Sequence, residues 1–131
     1  MTIKLLLVDD DKIMREGLRI ILQKRADIQI IAEADCGLTA VELACRLVPD
    51  VIVMDYSMPD MNGIEATRRI VEMVPSIKTI VISFYANERN VAEMLRAGVW
   101  GYVDKINILE ELEKAIRTVT EQKKYFDPHV L

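Results

Sequence analysis

Residues 51–63 read VIVMDYSMPDMNG: four apolar residues run directly into Asp55, and a loop marked by a proline and a glycine follows. A continuous apolar run, rather than an alternation of apolar and polar residues, is typical of a strand that is covered on both faces. A carboxylate at the end of such a strand is costly unless a cation shares its surroundings. The stretch therefore predicts a buried parallel strand whose last residue, Asp55, has a functional rather than a structural role.

Strand-like and helix-like stretches alternate along the whole chain. Short apolar runs of strand length occur at residues 3–8, 28–34, 51–54, 79–82 and 102–103. The last helical stretch has an apolar stripe that predicts a core-facing side, formed by Leu109, Leu112, Ile116 and Val119. Asn62 and Asn107 each stand three residues before a glutamate, which is the spacing of a helix N-cap and its capping partner. Because helices that cover a parallel sheet require right-handed crossovers, we predict a doubly wound (βα)5, flavodoxin-like α/β domain with a five-stranded sheet of order 2-1-3-4-5.

The composition is that of one globular domain. The chain has 131 residues, of which 51% are hydrophobic and 29% charged, and its formal net charge is -4. This acidic balance, without clustered Lys and Arg, excludes a nucleic-acid footprint on the domain itself. No apolar run approaches the roughly 18 residues of a membrane span, so we predict no membrane association and a cytoplasmic location. Cys36 and Cys45 lack the neighbours of a zinc site and are interpreted as reduced thiols.

Polar residues stand where the predicted strands end: Asp9 and Asp10, Asp55, Ser83 and Lys105. In open α/β sheets the ligand site lies outside the carboxyl ends of the strands, where the strand order reverses, so these side chains should converge. Carboxylates a few ångströms apart repel by roughly 4 kcal/mol per pair at an effective dielectric near 20, so the cluster should bind a proton or a cation. Mg²⁺ suits one or two carboxylates, a loop carbonyl such as that of Ser57, and an incoming phosphate.

A metal ion beside a carboxylate favours one particular reaction. The ion can orient and neutralise a phosphoryl donor while the carboxylate attacks in line, which yields an acyl phosphate. Lys105 would then pair with one phosphoryl oxygen, and the Ser83 hydroxyl would donate to another. The added charge of about -1.5 to -2 makes such a modification a switch. A purely structural alternative, in which the acids at 9–11 cap the first helix, is accepted for Asp11 alone.

These motifs resemble the receiver domain of bacterial two-component response regulators. The resemblance rests on Asp9 and Asp10 after LLLV, on Asp55 before YSMPDMNG, on Ser83 after TIVI and on Lys105 after GYVD. It covers nearly the whole chain, and the motifs are specific in combination.

The resemblance implies a role for each acid. Asp55 would be the phosphoacceptor and would bind Mg²⁺, or Mn²⁺ in its place, together with Asp10 and the backbone carbonyl of Ser57. Asp9 would hold the ion through a water molecule.

The resemblance also implies a set of assisting and modulating residues. Lys105 and Ser83 would assist catalysis of phosphoryl acceptance, and Tyr102 would take part in the switch. Ser57 and Tyr85 stand two residues past the acceptor and the switch hydroxyl, positions that modulate how readily water reaches the acyl phosphate. The bulk of Tyr85 predicts a comparatively long-lived phosphoryl group.

Within the family the sequence most resembles the NarL/FixJ type, whose output domain is of the LuxR kind. The tail EQKKYFDPHVL at residues 121–131 resembles the segment that leads from the receiver into a helix-turn-helix DNA-binding domain. We therefore predict a receiver at residues 1–124 and, at residues 125–131, the start of a linker to an output domain outside this chain. Ile106 departs from the Pro, Ala or Asp that often follows the family's lysine, which leaves the peptide geometry after Lys105 open.

The resulting prediction is a phosphorylation-activated signalling switch, not a metabolic enzyme. A sensor histidine kinase would donate the phosphoryl group, a homodimer or output surface would respond, and DNA would be contacted only through the output domain. The chain would catalyse only its own phosphorylation and dephosphorylation. Alternatives are a stand-alone receiver or phosphorelay protein, a Mg²⁺-dependent aspartyl-phosphate phosphatase, a flavin-binding module and a receiver-like protein that only binds partners. The phosphatase would carry an Asp where Ser57 stands, and the flavin module would carry a phosphate-binding loop rich in Ser, Thr and Gly.

Overall fold

A parallel six-stranded sheet organises the computed structural model, which describes residues 1–84 and 88–126 and omits the side chains of residues 88–90. The strands are β1 (Ile3–Val8), β2 (Ile28–Ala34), β3 (Val51–Asp55), β4 (Lys78–Ser83), β5 (Gly101–Asp104) and β6 (Tyr125–Phe126). The helices are α1 (Lys12–Gln23), α2 (Gly37–Leu47), α3 (Gly63–Met73), α4 (Glu88–Ala97) and α5 (Ile108–Thr120), and a 3-10 turn spans Lys105–Asn107. Among these described helices, none has the length and apolar content needed to cross a bilayer.

The strand order is β2-β1-β3-β4-β5-β6, so the predicted doubly wound fold and its 2-1-3-4-5 order are confirmed. The structure adds β6, in which Tyr125 and Phe126 pair in parallel with Gly101 and Tyr102 of β5. A strand of two residues is too short to produce an apolar run that sequence analysis would detect. The boundary at residue 124 stays a prediction, and Tyr125 and Phe126 lie in the same sheet as the rest of the domain.

The sheet is covered on both faces, as the solid apolar strands predict. Successive residues of each strand point to opposite faces. Leu5, Leu7, Val51 and Val53 pack with α1 and α5 on one face. Leu6, Val8, Ile52 and Met54 pack with α2 and α3 on the other. Every residue of β3 is buried, which explains why its sequence is apolar up to Asp55.

The helix ends follow the sequence in part. Asn62 caps α3, because its side chain accepts a hydrogen bond of 2.9 Å from the backbone N–H of Glu65. Asp11 caps α1 in the same way. The predicted cap at Asn107 is wrong, since its side chain makes no capping bond to α5. The reason is the intervening 3-10 turn, which is capped instead by Asp104.

The apolar stripe of α5 differs from the prediction at one of its four positions. Leu112, Ile116 and Val119 are buried as expected, but Leu109 is 74% exposed, so the prediction is wrong for Leu109. Ile108 takes the buried position instead, because it lies one helical repeat before Leu112 and α5 begins directly at that residue.

Gly63 lets α3 approach the end of β3 closely, and this predicts a measurable effect on stability. A Cβ at this position would lie 2.5 Å from the Asp55 carbonyl oxygen and 3.1 Å from Met54 Cγ. We expect Gly63→Ala to lower the free energy of unfolding by about 2 kcal/mol, because the backbone must shift to relieve this overlap. Gly17→Ala is the matched control: it lies within α1 with nothing within 4 Å of its added Cβ. The control should raise stability by roughly 0.5–1 kcal/mol in urea unfolding. Equal stabilities for the two variants would contradict the close approach.

Candidate functional site

The predicted site residues lie at one edge of the sheet, where the strand order reverses between β1 and β3. Asp9 follows β1, Asp55 ends β3, Ser83 ends β4 and Lys105 follows β5. Parallel strands place these carboxyl ends side by side. A cleft at this edge is lined by Asp10, Asp11, Asp55, Ser57, Ser83, Phe84 and Lys105.

Three carboxylates converge in this cleft. Asp9, Asp10 and Asp55 each place a carboxylate oxygen within 4.8 Å of those of the other two. Asp9 and Asp55 are buried, at 0% and 3% exposure, whereas Asp10 is exposed to solvent. Among the described residues, Oδ2 of Asp9 has no hydrogen-bond partner, although it is fully buried. Carboxylate oxygens in such a cluster fit a hard divalent cation.

Lys105 provides the positive charge in this cluster. Its Nζ lies 3.0 Å from Asp55 Oδ1 and 3.2 Å from Asp9 Oδ2, and its side chain is only 8% exposed. Both contacts are ion pairs, so one ammonium group is shared between two buried carboxylates. Burial lowers the pKa of Lys105, but the neighbouring carboxylates of Asp55 and Asp9 outweigh it and hold that pKa above its usual value. Lys105 therefore stays charged at neutral pH.

One lysine does not neutralise the acids. Burial, reinforced by the negative charge of Asp9, raises the pKa of Asp55 to about 7, and Lys105 opposes this rise. At neutral pH the cluster thus carries a carboxylate that gains from either a proton or a second cation. This is the electrostatic condition that the sequence predicts for a metal site.

Main-chain and side-chain contacts hold the acids in place. The backbone N–H of Asp11 donates to Asp9 Oδ1 at 2.9 Å, and the backbone N–H of Ser57 donates to Asp55 Oδ1 at 3.3 Å. The Arg15 guanidinium donates to the Asp9 carbonyl oxygen at 2.6 Å and pairs with Glu33 at 3.1 Å. The contact made by Arg15 could not be predicted from the sequence, since the pattern of an amphipathic helix does not indicate which of its basic residues binds a main-chain carbonyl.

The remaining predicted residues are placed as follows. Ser57 is exposed on the loop after β3, and the role of its carbonyl stays a prediction. Tyr102 is fully buried, and its hydroxyl donates to the Ser83 carbonyl oxygen at 3.3 Å, so the two proposed switch residues are in direct contact. Tyr85 lies outside the described residues.

The fold and the site together define a class: doubly wound α/β domains with an acidic cleft at the carboxyl ends of the strands. Comparison with known proteins then gives the family. The chain belongs to the response regulator receiver domain family, whose model matches residues 5–117.

Full-length relatives agree with this assignment. The chain is 37% identical over 128 residues to the response regulator GacA of Pseudomonas aeruginosa, covering 98% of the chain and 60% of that protein. It is 36% identical over 131 residues to the response regulator protein VraR of Staphylococcus aureus, covering 100% of the chain and 63% of that protein. The chain therefore spans about three fifths of the length of these curated relatives.

Solved structures agree as well. A two-component response regulator of the LuxR family from Aurantimonas sp. SI85-9A1 superposes with a TM-score of 0.95 at 31% identity, covering 99% of this chain and 93% of that one. The response regulator domain of Thermotoga maritima CheB gives a TM-score of 0.86 at 33% identity, covering 92% and 98%. The predicted receiver domain of NarL/FixJ type, a module of two-component signalling systems, is confirmed.

Proposed function

We propose that Asp55 is the phosphoacceptor of this receiver and that a sensor histidine kinase in the cytoplasm supplies the phosphoryl group. The observation that carries the proposal is the shared Lys105: its Nζ contacts both Asp55 and Asp9, and Asp10 lies within the same acidic cluster. A phosphoryl group on Asp55 would lie within reach of this lysine. The arrangement thus offers a nucleophile and a charge partner in one cleft.

The metal would be held by Asp10, Asp55 and the Ser57 carbonyl, with Asp9 acting through a water molecule. Mg²⁺, or Mn²⁺ in its place, would neutralise charge on the phosphoryl group during transfer. The convergence of three carboxylates and the raised pKa of Asp55 support a cation in this cluster.

The chain's own residues would carry out the transfer. A carboxylate oxygen of Asp55 attacks phosphorus, and the bond from phosphorus to the kinase histidine nitrogen breaks with its electron pair staying on nitrogen. Lys105 pairs with one phosphoryl oxygen, and the Ser83 hydroxyl donates to another. Ser57 and Tyr85 modulate the later approach of water, and with it autodephosphorylation.

The signal would leave the site through Ser83 and Tyr102. Movement of Ser83 towards the phosphoryl group displaces the carbonyl oxygen to which Tyr102 donates. Tyr102 lies in β5 and packs with α4 residues such as Met94, so its displacement would alter the surface around α4, β5 and α5. We propose that this surface changes homodimer pairing and controls a DNA-binding output domain that follows the linker. DNA would be contacted only by that domain.

Incubation with acetyl phosphate tests the proposal. With Mg²⁺, intact mass spectrometry should show one added phosphate per chain, and EDTA should prevent it. An Asp35→Asn control, which alters an exposed acid outside the cluster, should be modified like the wild type. Catalytic release of phosphate from an added ester, without a stable adduct, would show a phosphatase and overturn the proposal.

A further inference from the structure

Asp60 joins the loop after β3 to the start of α2. Its carboxylate accepts hydrogen bonds from the backbone N–H groups of Gly37 at 2.9 Å and Leu38 at 2.8 Å, and from Met61 in its own loop at 3.0 Å. The bonds from Leu38 and Gly37 hold the pKa of Asp60 below its usual value. The side chain is therefore charged at neutral pH, as suits the positive end of a helix.

Helix α2 has no cap of its own. Cys36 occupies the N-cap position with the extended backbone typical of a cap, at φ -154 and ψ 165, but its side chain makes no capping hydrogen bond. The N-cap side chain normally satisfies the first free N–H groups of a helix. Here Asp60, which stands 23 positions after Gly37, satisfies these N–H groups instead. Its side chain therefore both caps α2 and links the loop after β3 to that helix.

A second contact fastens the same loop. Met61 lies directly over Gly37, so that a Cβ on that glycine would overlap the Met61 side chain and lie 3.3 Å from Asp60 Oδ1. Gly37, the first residue of α2, therefore leaves the space that the Met61 side chain occupies. The loop is fixed at its ends as well, by the cap from Asn62 and by the backbone N–H of Gly63, which donates to the Tyr56 carbonyl oxygen at 2.8 Å.

The tethered loop carries the Ser57 main chain, whose N–H donates to Asp55 and whose carbonyl is the proposed metal ligand. Within the loop at residues 56–62, Asp60 and Met61 are among the residues that contact other parts of the fold. We infer that Asp60 is a positioning residue: by tying the loop to α2 it fixes the Ser57 main chain against Asp55 and sets the affinity for Mg²⁺. This inference rests on the proposed function and goes beyond it by assigning a residue outside the cleft.

The test separates a positioning role from a merely structural one. Asp60→Ala removes both the cap and the tether, whereas Asp60→Ala combined with Cys36→Asp supplies α2 with a local cap, keeps the net charge and leaves the loop untied. The double variant should regain the wild-type melting temperature. Both variants should bind Mg²⁺ about tenfold more weakly, because supporting residues around a metal site typically change affinity by about 10–100-fold.

Two readouts and two controls complete the experiment. Calorimetric titration of the unphosphorylated protein measures Mg²⁺ affinity, and amide exchange in the metal-free protein should quicken at residues 57–61 in both variants. Cys36→Ser, which adds no charge beside Asp60, and Asp50→Ala should behave like the wild type in both readouts. Asp50 accepts from the Lys4 N–H at 2.8 Å, away from the cleft.

The possible outcomes are distinct. A double variant with both wild-type melting temperature and wild-type Mg²⁺ affinity would show that Asp60 is only a helix cap, which overturns the inference and leaves the proposed function standing. A wild-type protein that binds no Mg²⁺ would overturn both together. Restored stability with weakened Mg²⁺ binding and faster loop exchange supports the inference.

Discussion

Asp55→Asn should abolish phosphoryl acceptance, with the adduct from acetyl phosphate falling at least about 100-fold. The amide is a poor nucleophile and cannot form the acyl phosphate, and Asp9 is held by Lys105 and by the Asp11 backbone, so it does not replace Asp55 as acceptor. The measurement is intact mass after incubation with Mg²⁺ and acetyl phosphate. Borohydride reduction of the wild-type adduct, followed by peptide mapping, should locate the modified residue at position 55.

The same variant should fold, and this makes its loss of acceptance interpretable. Removing Asp55 leaves the ion pair between Lys105 and Asp9 in place and deletes a carboxylate whose pKa burial raises to about 7. We therefore expect an unchanged or higher melting temperature at pH 7.5 without Mg²⁺. A folded Asp55→Asn protein that still gains one phosphate would place the acceptor on another residue.

The order of strands explains why so much of the site could be predicted from the sequence. Asp55 and Lys105 are far apart in the chain, yet their carboxylate and ammonium groups lie 3.0 Å apart. Once β1, β3, β4 and β5 are recognised as parallel neighbours, the residues at their carboxyl ends must meet. No side-chain detail is needed for that conclusion.

Contacts that depend on exact phase or on distant main-chain groups could not be predicted. Leu109 is exposed because Ile108, one helical repeat before Leu112, takes the buried position, and the Asn107 side chain makes no capping bond because a 3-10 turn leads directly into α5. Arg15 and Asp60 each bind backbone groups from other segments. A side chain that binds a remote main chain leaves no pattern in its own neighbourhood, since any residue supplies an N–H and a C=O.

Lys105→Met should destabilise the metal-free protein strongly, by about 3 kcal/mol at pH 7.5, because it leaves buried carboxylates without their cation. The Lys105 side chain is 8% exposed, and those of its partners Asp9 and Asp55 are 0% and 4% exposed. Lys114→Met, an exposed lysine of α5, is the matched control and should change stability by less than about 0.5 kcal/mol. Urea unfolding in EDTA gives both values.

The pH dependence follows from the pKa of Asp55. That pKa is about 7 in the folded protein against an ordinary value of 3.8, so between these values the folded state binds more protons than the unfolded state. The contribution of Asp55 to the stability of the metal-free wild type should therefore be fully present at and below the lower value and be lost as pH rises through the upper one. Lys105 lowers the pKa of Asp55, so removing the lysine charge should raise that pKa further. The loss of stability with rising pH should then extend to higher pH.

Three rescues should then act on Lys105→Met by one mechanism. Lowering the pH to 5 protonates Asp55, adding Asp55→Asn deletes its charge, and Mg²⁺ supplies a replacement cation, so each should shrink the deficit relative to a matched protein that retains Lys105. The part of the deficit that is due to Asp9, which also loses its cation, should persist in the Asp55→Asn background. A general packing defect at position 105 would leave this deficit unchanged in all three comparisons, because the deleted lysine stem would be missing under every condition. A deficit of the same size at pH 5 and pH 7.5, unaffected by Mg²⁺, would therefore show that Lys105 acts through its stem and not through the charge it shares between Asp9 and Asp55.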